Sequence, residues 1–165
     1  SCQSLKTIPL LDTSKVTDMT GMFRDCAYLE SIPLLDTSKV KSMNSMFYEC
    51  IRLKSFSLLD TSKVKSMNSM FGRCSELKTI PLLDTSKVTD MAHMFSGCYS
   101  LETMPLLNIH KVNIMNQMFY YCKLLSKIDI LAYSKKYTFD RDKFPLLVES
   151  YPNYFIVNDF INKYR

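Results

Sequence analysis

Six cysteines stand at Cys2, Cys26, Cys50, Cys74, Cys98 and Cys122, one every 24 residues. An even count in a short chain ordinarily suggests a disulfide framework. Residues one repeat apart in a stack can approach the ~4.4–6.8 Å Cα separation that a bridge needs. Against this, each cysteine lies between apolar positions of the Phe23 and Leu29 type, where a free thiol packs as a small hydrophobe. The spacing M-x-x-M-F-x-x-C also gathers two thioethers and a thiol, a soft set that suits Cu(I). Valine and phenylalanine share those positions in every unit, so the expectation is core packing by adaptable methionines, with no metal and no cofactor.

The aspartates Asp12, Asp36, Asp60 and Asp84 repeat at the same interval and would stack as a carboxylate row, a conceivable calcium site. Three residues on, Lys15, Lys39, Lys63, Lys87 and Lys111 form a cationic row that would offset it. N-capping of the first turn of the helix that follows, with mutual charge balance against the lysines, is the expected role. Asn108 replaces the aspartate in the fifth unit and can still cap. His93 and His110 occupy different repeat positions without a ligand-spaced partner. No G-x-S-x-G, H-E-x-x-H, P-loop or C-x-x-C is present. Serines and threonines in rows, with no base beside them, are not nucleophiles. A translational repeat places like residues in files, whereas an active site needs unlike residues to converge, so no enzyme is expected.

Whatever these residues do, a tandem array must position them. Leucines at Leu5, Leu29, Leu53, Leu77, Leu101 and Leu125 keep step, as do Leu10, Leu34, Leu58, Leu82 and Leu106. So do Val16, Val40, Val64, Val88 and Val112, and Phe23, Phe47, Phe71, Phe95 and Phe119. Ten of the eleven methionines occupy two further rows. A fixed period of this length signals a solenoid. Within the unit, Leu29, Ile32 and Leu34 match the L-x-x-L-x-L strand of a leucine-rich repeat. Val16, Met19, Met22, Phe23 and Cys26 have helical spacing, a face roughly 120° wide. The reading is an α/β repeat solenoid, a right-handed coil with short parallel strands on one face and short helices on the other. One unit cannot offset its own ordering entropy, so neighbours must stack.

Residues 1–132 hold about five and a half repeats, and residues 133–165 read as a C-terminal capping segment. There the helix positions fail, Lys136 replacing the valine and Asp142 the second methionine, and nine of the chain's twenty aromatic residues gather. The first unit shows no cap, so its strand is expected to meet further repeats or a second chain. No apolar run approaches the ~20 residues that cross a bilayer.

The unit L-D-T-S-K-V-x-x-M-x-x-M-F-x-x-C-x-x-L-x-x-I-P resembles the BspA-like leucine-rich repeat. More narrowly, it resembles the M-F-x-x-C variant of mycoplasma surface lipoproteins and of surface or phage proteins of gut bacteria. The resemblance implies a leucine-rich-repeat solenoid on a cell-surface or secreted protein, used for adhesion or partner binding. It carries no catalytic residues.

Under that alignment the outward strand positions are Thr7, Ser31, Ser55, Thr79 and Thr103, which would form a concave face of hydroxyls. Pro9, Pro33, Ser57, Pro81 and Pro105 follow them. Only one leucine of each Leu-Leu pair can point inward in a straight strand. A second row, Leu11, Leu35, Leu59, Leu83, Leu107 and Leu131, would then be partly exposed as a docking stripe, but the expectation is that the chain bends at the turn and buries both rows. A Thr13, Thr37, Thr61 and Thr85 row would suit ice binding, but the neighbouring lysines spoil a flat apolar surface. The net charge of +5 favours acidic surfaces weakly, without support for specific nucleic-acid recognition.

The function expected is a non-enzymatic recognition or adhesion module that binds a protein or glycan on a host or neighbouring cell. The alternative is a structural spacer that self-associates through its first strand.

Overall fold

The computed structural model describes Cys2, residues 4–105 and residues 107–125. The expected capping segment 133–165 lies outside them. The chain winds into stacked coils whose contacts join residues one repeat apart. Phe23, Phe47, Phe71, Phe95 and Phe119 stack ring on ring at 5.6, 5.5, 5.6 and 5.7 Å, the last two pairs within 2° of parallel. The valine, methionine, phenylalanine, cysteine and leucine rows close around this column. In the second to fourth coils, Val40, Met67, Phe71, Cys74 and Leu101 are wholly buried. The architecture is a repeat solenoid with one continuous core.

The local structure inside each coil differs from the expectation. Among the described residues there is no α-helix and no continuous strand. The segment read as a helix is a succession of tight turns. Met22, Arg24 and Cys26 donate their amides three residues back, to Met19, Gly21 and Phe23. The alternate residues Met19, Gly21, Phe23 and Asp25 donate instead to the next coil, to Ser42, Asn44, Met46 and Tyr48. Two residues per coil take left-handed backbone, Gly21 and Asp25 in the first, then Ser45 and Glu49, Ser69 and Arg73, His93 and Gly97, Gln117 and Tyr121. Left-handed backbone interrupts any helix and costs about 1–2 kcal/mol at a residue with a side chain. Its return here is an amide aimed at the neighbouring coil. An α-helix would satisfy its amides internally; this arrangement spends half of them on cross-linking the stack.

The strand expected around Leu29–Leu34 is also absent. Only one amide of that stretch reaches the previous coil in register, as Glu30 does to Lys6, Lys54 to Glu30 and Glu102 to Lys78. Proline at positions 9, 33, 81 and 105 has no amide to give to a ladder, although in the third coil Ser57 has one and the stretch is still not a strand. The parallel pairing moves to a proline-free stretch, with isolated bridges linking Asp18 to Ser42, Ser42 to Ser66, Ser66 to Asp90 and Asp90 to Ile114.

Candidate binding surface

The Leu-Leu pairs split, against the expectation that both rows are buried, and the exposed row is not the second one that the straight-strand alternative put outside. Leu35, Leu59, Leu83 and Leu107 are buried, and it is the first row that faces solvent: Leu10 is 79%, Leu34 66%, Leu58 62% and Leu82 63% exposed. The reason lies in the phase of the chain. Ile32 is inward, Pro33 is half-buried and Leu34 lies outside, and strict alternation then runs Leu35 in, Asp36 out, Thr37 in. The extra residue between Ile32 and Leu35 swaps which leucine reaches the core.

A turn ends this alternation, with the Val40 amide donating to the Thr37 carbonyl at 2.9 Å. The same bond recurs from Val16 to Thr13, Val64 to Thr61 and Val88 to Thr85. The aspartates cap these turns and not helices. Oδ1 of Asp36 accepts the Ser38 amide at 3.0 Å, and Asp60 and Asp84 accept those of Ser62 and Ser86 at 3.0 and 2.9 Å. Asn108 does the same for His110 at 3.1 Å. The Ser38 hydroxyl, then the Ser38 amide, hold the Asp36 carboxyl below its ordinary value, and nearby Lys39 adds to the effect. Asp60 and Asp84 are lowered in the same way.

Exposed leucines and capping aspartates share one face because they are two residues apart in extended chain. Leu34, Leu58 and Leu82 with Asp36, Asp60 and Asp84 line an open groove of about 760 Å³ that crosses successive coils. The threonines beneath point inward. Thr13, Thr37, Thr61 and Thr85 are 1–2% exposed, so this row presents no surface to ice. The Thr85 hydroxyl donates to the Asn108 carbonyl at 2.9 Å, while those of Thr13, Thr37 and Thr61 have no partner.

Thr7, Ser31, Ser55, Thr79 and Thr103 are all exposed but lie outside the groove, beside the single amide rung at Lys6, Glu30 and Lys78. Sequence reasoning thus found a hydroxyl row on the surface and missed the leucine groove next to it. The signal was available in the proline and the doubled leucine, which together break a two-residue period.

The sulfur rows are structural. All six cysteines are free, and Cys2 alone is exposed. Burial pushes the Cys50 and Cys122 thiols up to about 12 and those of Cys74 and Cys98 well above their ordinary value. No thiolate forms in the core at neutral pH. Among the described residues no group of three or more His, Cys, Asp or Glu side chains is placed to hold a metal ion.

The coil stack and its repeating surface define the chain as a repeat solenoid protein. It belongs to the family described as "Mycoplasma protein of unknown function, DUF285", whose sequence profile matches residues 2–103 and 53–139. That membership bears out the resemblance to mycoplasma repeats. A comparison with curated proteins returns no match. Among solved structures, a leucine-rich cell surface protein from Faecalibacterium prausnitzii A2-165 aligns at 26% identity with a TM-score of 0.42, over 66% of this chain and 35% of that one. The leucine-rich repeat protein of T. pallidum aligns at 18% identity with a TM-score of 0.38, over 80% of this chain and 83% of that one. The chain spans about a third of the length of the Faecalibacterium protein it matches.

Proposed function

We propose that this chain is a non-enzymatic recognition or adhesion module of a surface-exposed bacterial protein, folded as a right-handed leucine-rich-repeat-like coil of 24-residue units. It binds a protein or glycan partner through its outer surface. One observation carries the reading: four leucines, each more than three-fifths exposed, stand in register on successive coils. A contiguous apolar row of this kind is kept in water at a cost unless something covers it. The ionised aspartates beside it would give orientation to whatever does. Placement at the cell surface follows from the resemblance to BspA-like repeats.

The test is attachment of the labelled full chain to cultured animal cells, against a Leu34→Ser, Leu58→Ser, Leu82→Ser variant. Saturable attachment that falls about tenfold or more in the variant supports a binding face. Attachment that never saturates overturns it. Sedimentation that shows concentration-dependent self-association, with no cell attachment, would instead favour an assembly spacer.

A further inference from the structure

The turn that closes the groove starts a second exposed surface, and its chemistry is different. Lys39 and Lys41 are both exposed with Val40 wholly buried between them, so both side chains reach solvent beside the turn. Lys63 and Lys65 flank buried Val64 identically. The backbone holds these pairs in register. The Lys65 amide donates to the Lys41 carbonyl at 2.9 Å, the Lys41 amide to Thr17 at 2.8 Å, and Ser42 bridges to Ser66. Neighbouring chains in such a pairing lie ~4.8 Å apart. Lys15, Lys87 and Lys111, all exposed, extend the outer row over the flanking coils.

Four like charges on a lattice of that spacing repel one another, and like charges directly opposite are destabilising. Elsewhere the chain avoids this: Lys54 pairs with Glu76 at 3.9 Å and Lys78 with Glu102 at 3.6 Å. Among the described residues none of the seven lysines closes to an ion pair. Lys39, Lys63 and Lys87 lend their field to Asp36, Asp60 and Asp84 across the turn, but those carboxylates are engaged by serine. On the lysine side the two central coils carry Ser42 and Ser66 where the outer ones carry Asp18 and Asp90. The Asp18 carboxylate takes the Thr20 amide at 2.8 Å, and that of Asp90 takes the Ala92 amide at 2.9 Å.

We propose that this double lysine row is a docking surface for a linear anionic polysaccharide, whose successive sulfates or carboxylates lie along the coil axis and replace the missing counter-charges. A single-stranded nucleic acid fits this surface less well than a glycan, because its bases bind by stacking on aromatic side chains and the lysine positions and those between them hold none. The exposed tyrosines Tyr28 and Tyr99 lie elsewhere, with Arg52 and Lys123 over their rings at 4.6 and 5.4 Å. Lysine, a mobile point charge, suits charges spread along a flexible chain better than a planar fork would.

The inference rests on the recognition-module reading and narrows its partner. Heparin serves as the probe, titrated into the full chain at physiological salt, with desulfated heparin and single-stranded DNA of equal charge as the other arms. Two quadruple variants are compared: Lys39→Gln, Lys41→Gln, Lys63→Gln, Lys65→Gln, and Lys6→Gln, Lys54→Gln, Lys78→Gln, Lys123→Gln. The first is expected to bind heparin at least about tenfold more weakly and with a shallower salt dependence, the second to bind within about threefold of the parent. Equal losses in both variants would reduce the effect to net charge and overturn the proposal, as would tighter binding of DNA than of heparin. The first variant should also melt no lower than the parent, since it removes repulsion; a lower melting temperature would make the lysines structural. If cell attachment persists undiminished in the first variant, the polysaccharide is wrong while the module reading stands. If neither heparin nor cells bind, both fall.

Discussion

The thiol of Cys74 donates to the carbonyl oxygen of Phe47, 27 residues earlier, at 3.1 Å. The same bond runs from Cys50 to Phe23, Cys98 to Phe71 and Cys122 to Phe95, each at 3.1 Å. Each cysteine thus ties its own coil to the one before it, adding a second donor to a carbonyl that already accepts an amide, as that of Phe47 accepts the Cys50 amide at 3.0 Å. Cysteine at this position is both apolar filler and donor.

Thiol chemistry follows directly. With a chromogenic disulfide reagent at neutral pH, the native chain should release one equivalent quickly, from Cys2, and five more only when denaturant opens the coils. Fast reaction of two or more thiols in the native state would contradict the buried column.

The two leucine rows make opposite predictions. Leu59→Ala removes a side chain that is 2% exposed and should cost about 2–5 kcal/mol of unfolding free energy. Leu58→Ala removes one that is 62% exposed and should change stability by no more than about 0.5 kcal/mol. Urea unfolding of the pair decides which leucine faces the core; the reverse ranking would restore the straight-strand alternation of the L-x-x-L-x-L spacing.

Gly97 has a φ of 78°, and a Cβ there would meet Cα of Arg73 at 3.4 Å. Gly97→Ala should therefore lose about 1–2 kcal/mol from left-handed strain, read as a lowered melting temperature. At Gly72 the backbone is unstrained, but an added Cβ would sit 2.8 Å from Cδ2 of Tyr48. Gly72→Ala should shift the Tyr48 ring, which lies 5.0 Å from the Arg24 guanidinium carbon, and change its tyrosine fluorescence.

Acid stability carries the signature of the capping carboxylates. The carboxyls of Asp36, Asp60 and Asp84 lie below 3.8 when folded, chiefly through the hydroxyls of Ser38, Ser62 and Ser86. A lowered folded value means that their contribution is complete above the unfolded value and is lost as pH falls through the folded one. Stability should hold from neutral pH to about 4 and decline below it. Replacing all three by asparagine, which caps the same turn at Asn108, should flatten that decline in a pH series of thermal melts. An unchanged acid limb would assign the loss to other carboxylates.

How much of this was legible in one dimension differs from part to part. The period, the valine, methionine, phenylalanine and cysteine rows of the core and the continuity of the stack were legible from repetition: a side chain that recurs every 24 residues meets its own copy when coils stack, and Phe47 on Phe71 at 5.5 Å is the result. The capping role of Asp36 was legible as well, since a carboxylate two residues ahead of a serine amide needs only a local turn.

The tertiary structure alone decided the backbone path between those points. Met19, Met22, Phe23 and Cys26 satisfy a helical period and a chain of tight turns equally well, because both bring every third or fourth residue to one side. The choice depends on where alternate amides find acceptors, and the nearest ones, such as Asn44 for Gly21 at 2.8 Å, belong to the next coil. The same holds for the surface. Which leucine of Leu34 and Leu35 is taken into the core, Leu35 at 3% against Leu34 at 66% exposed, is settled when the coils pack on one another. That packing is a relation between segments far apart in sequence; the proline and the doubled leucine mark where the two-residue period breaks but not which leucine turns inward.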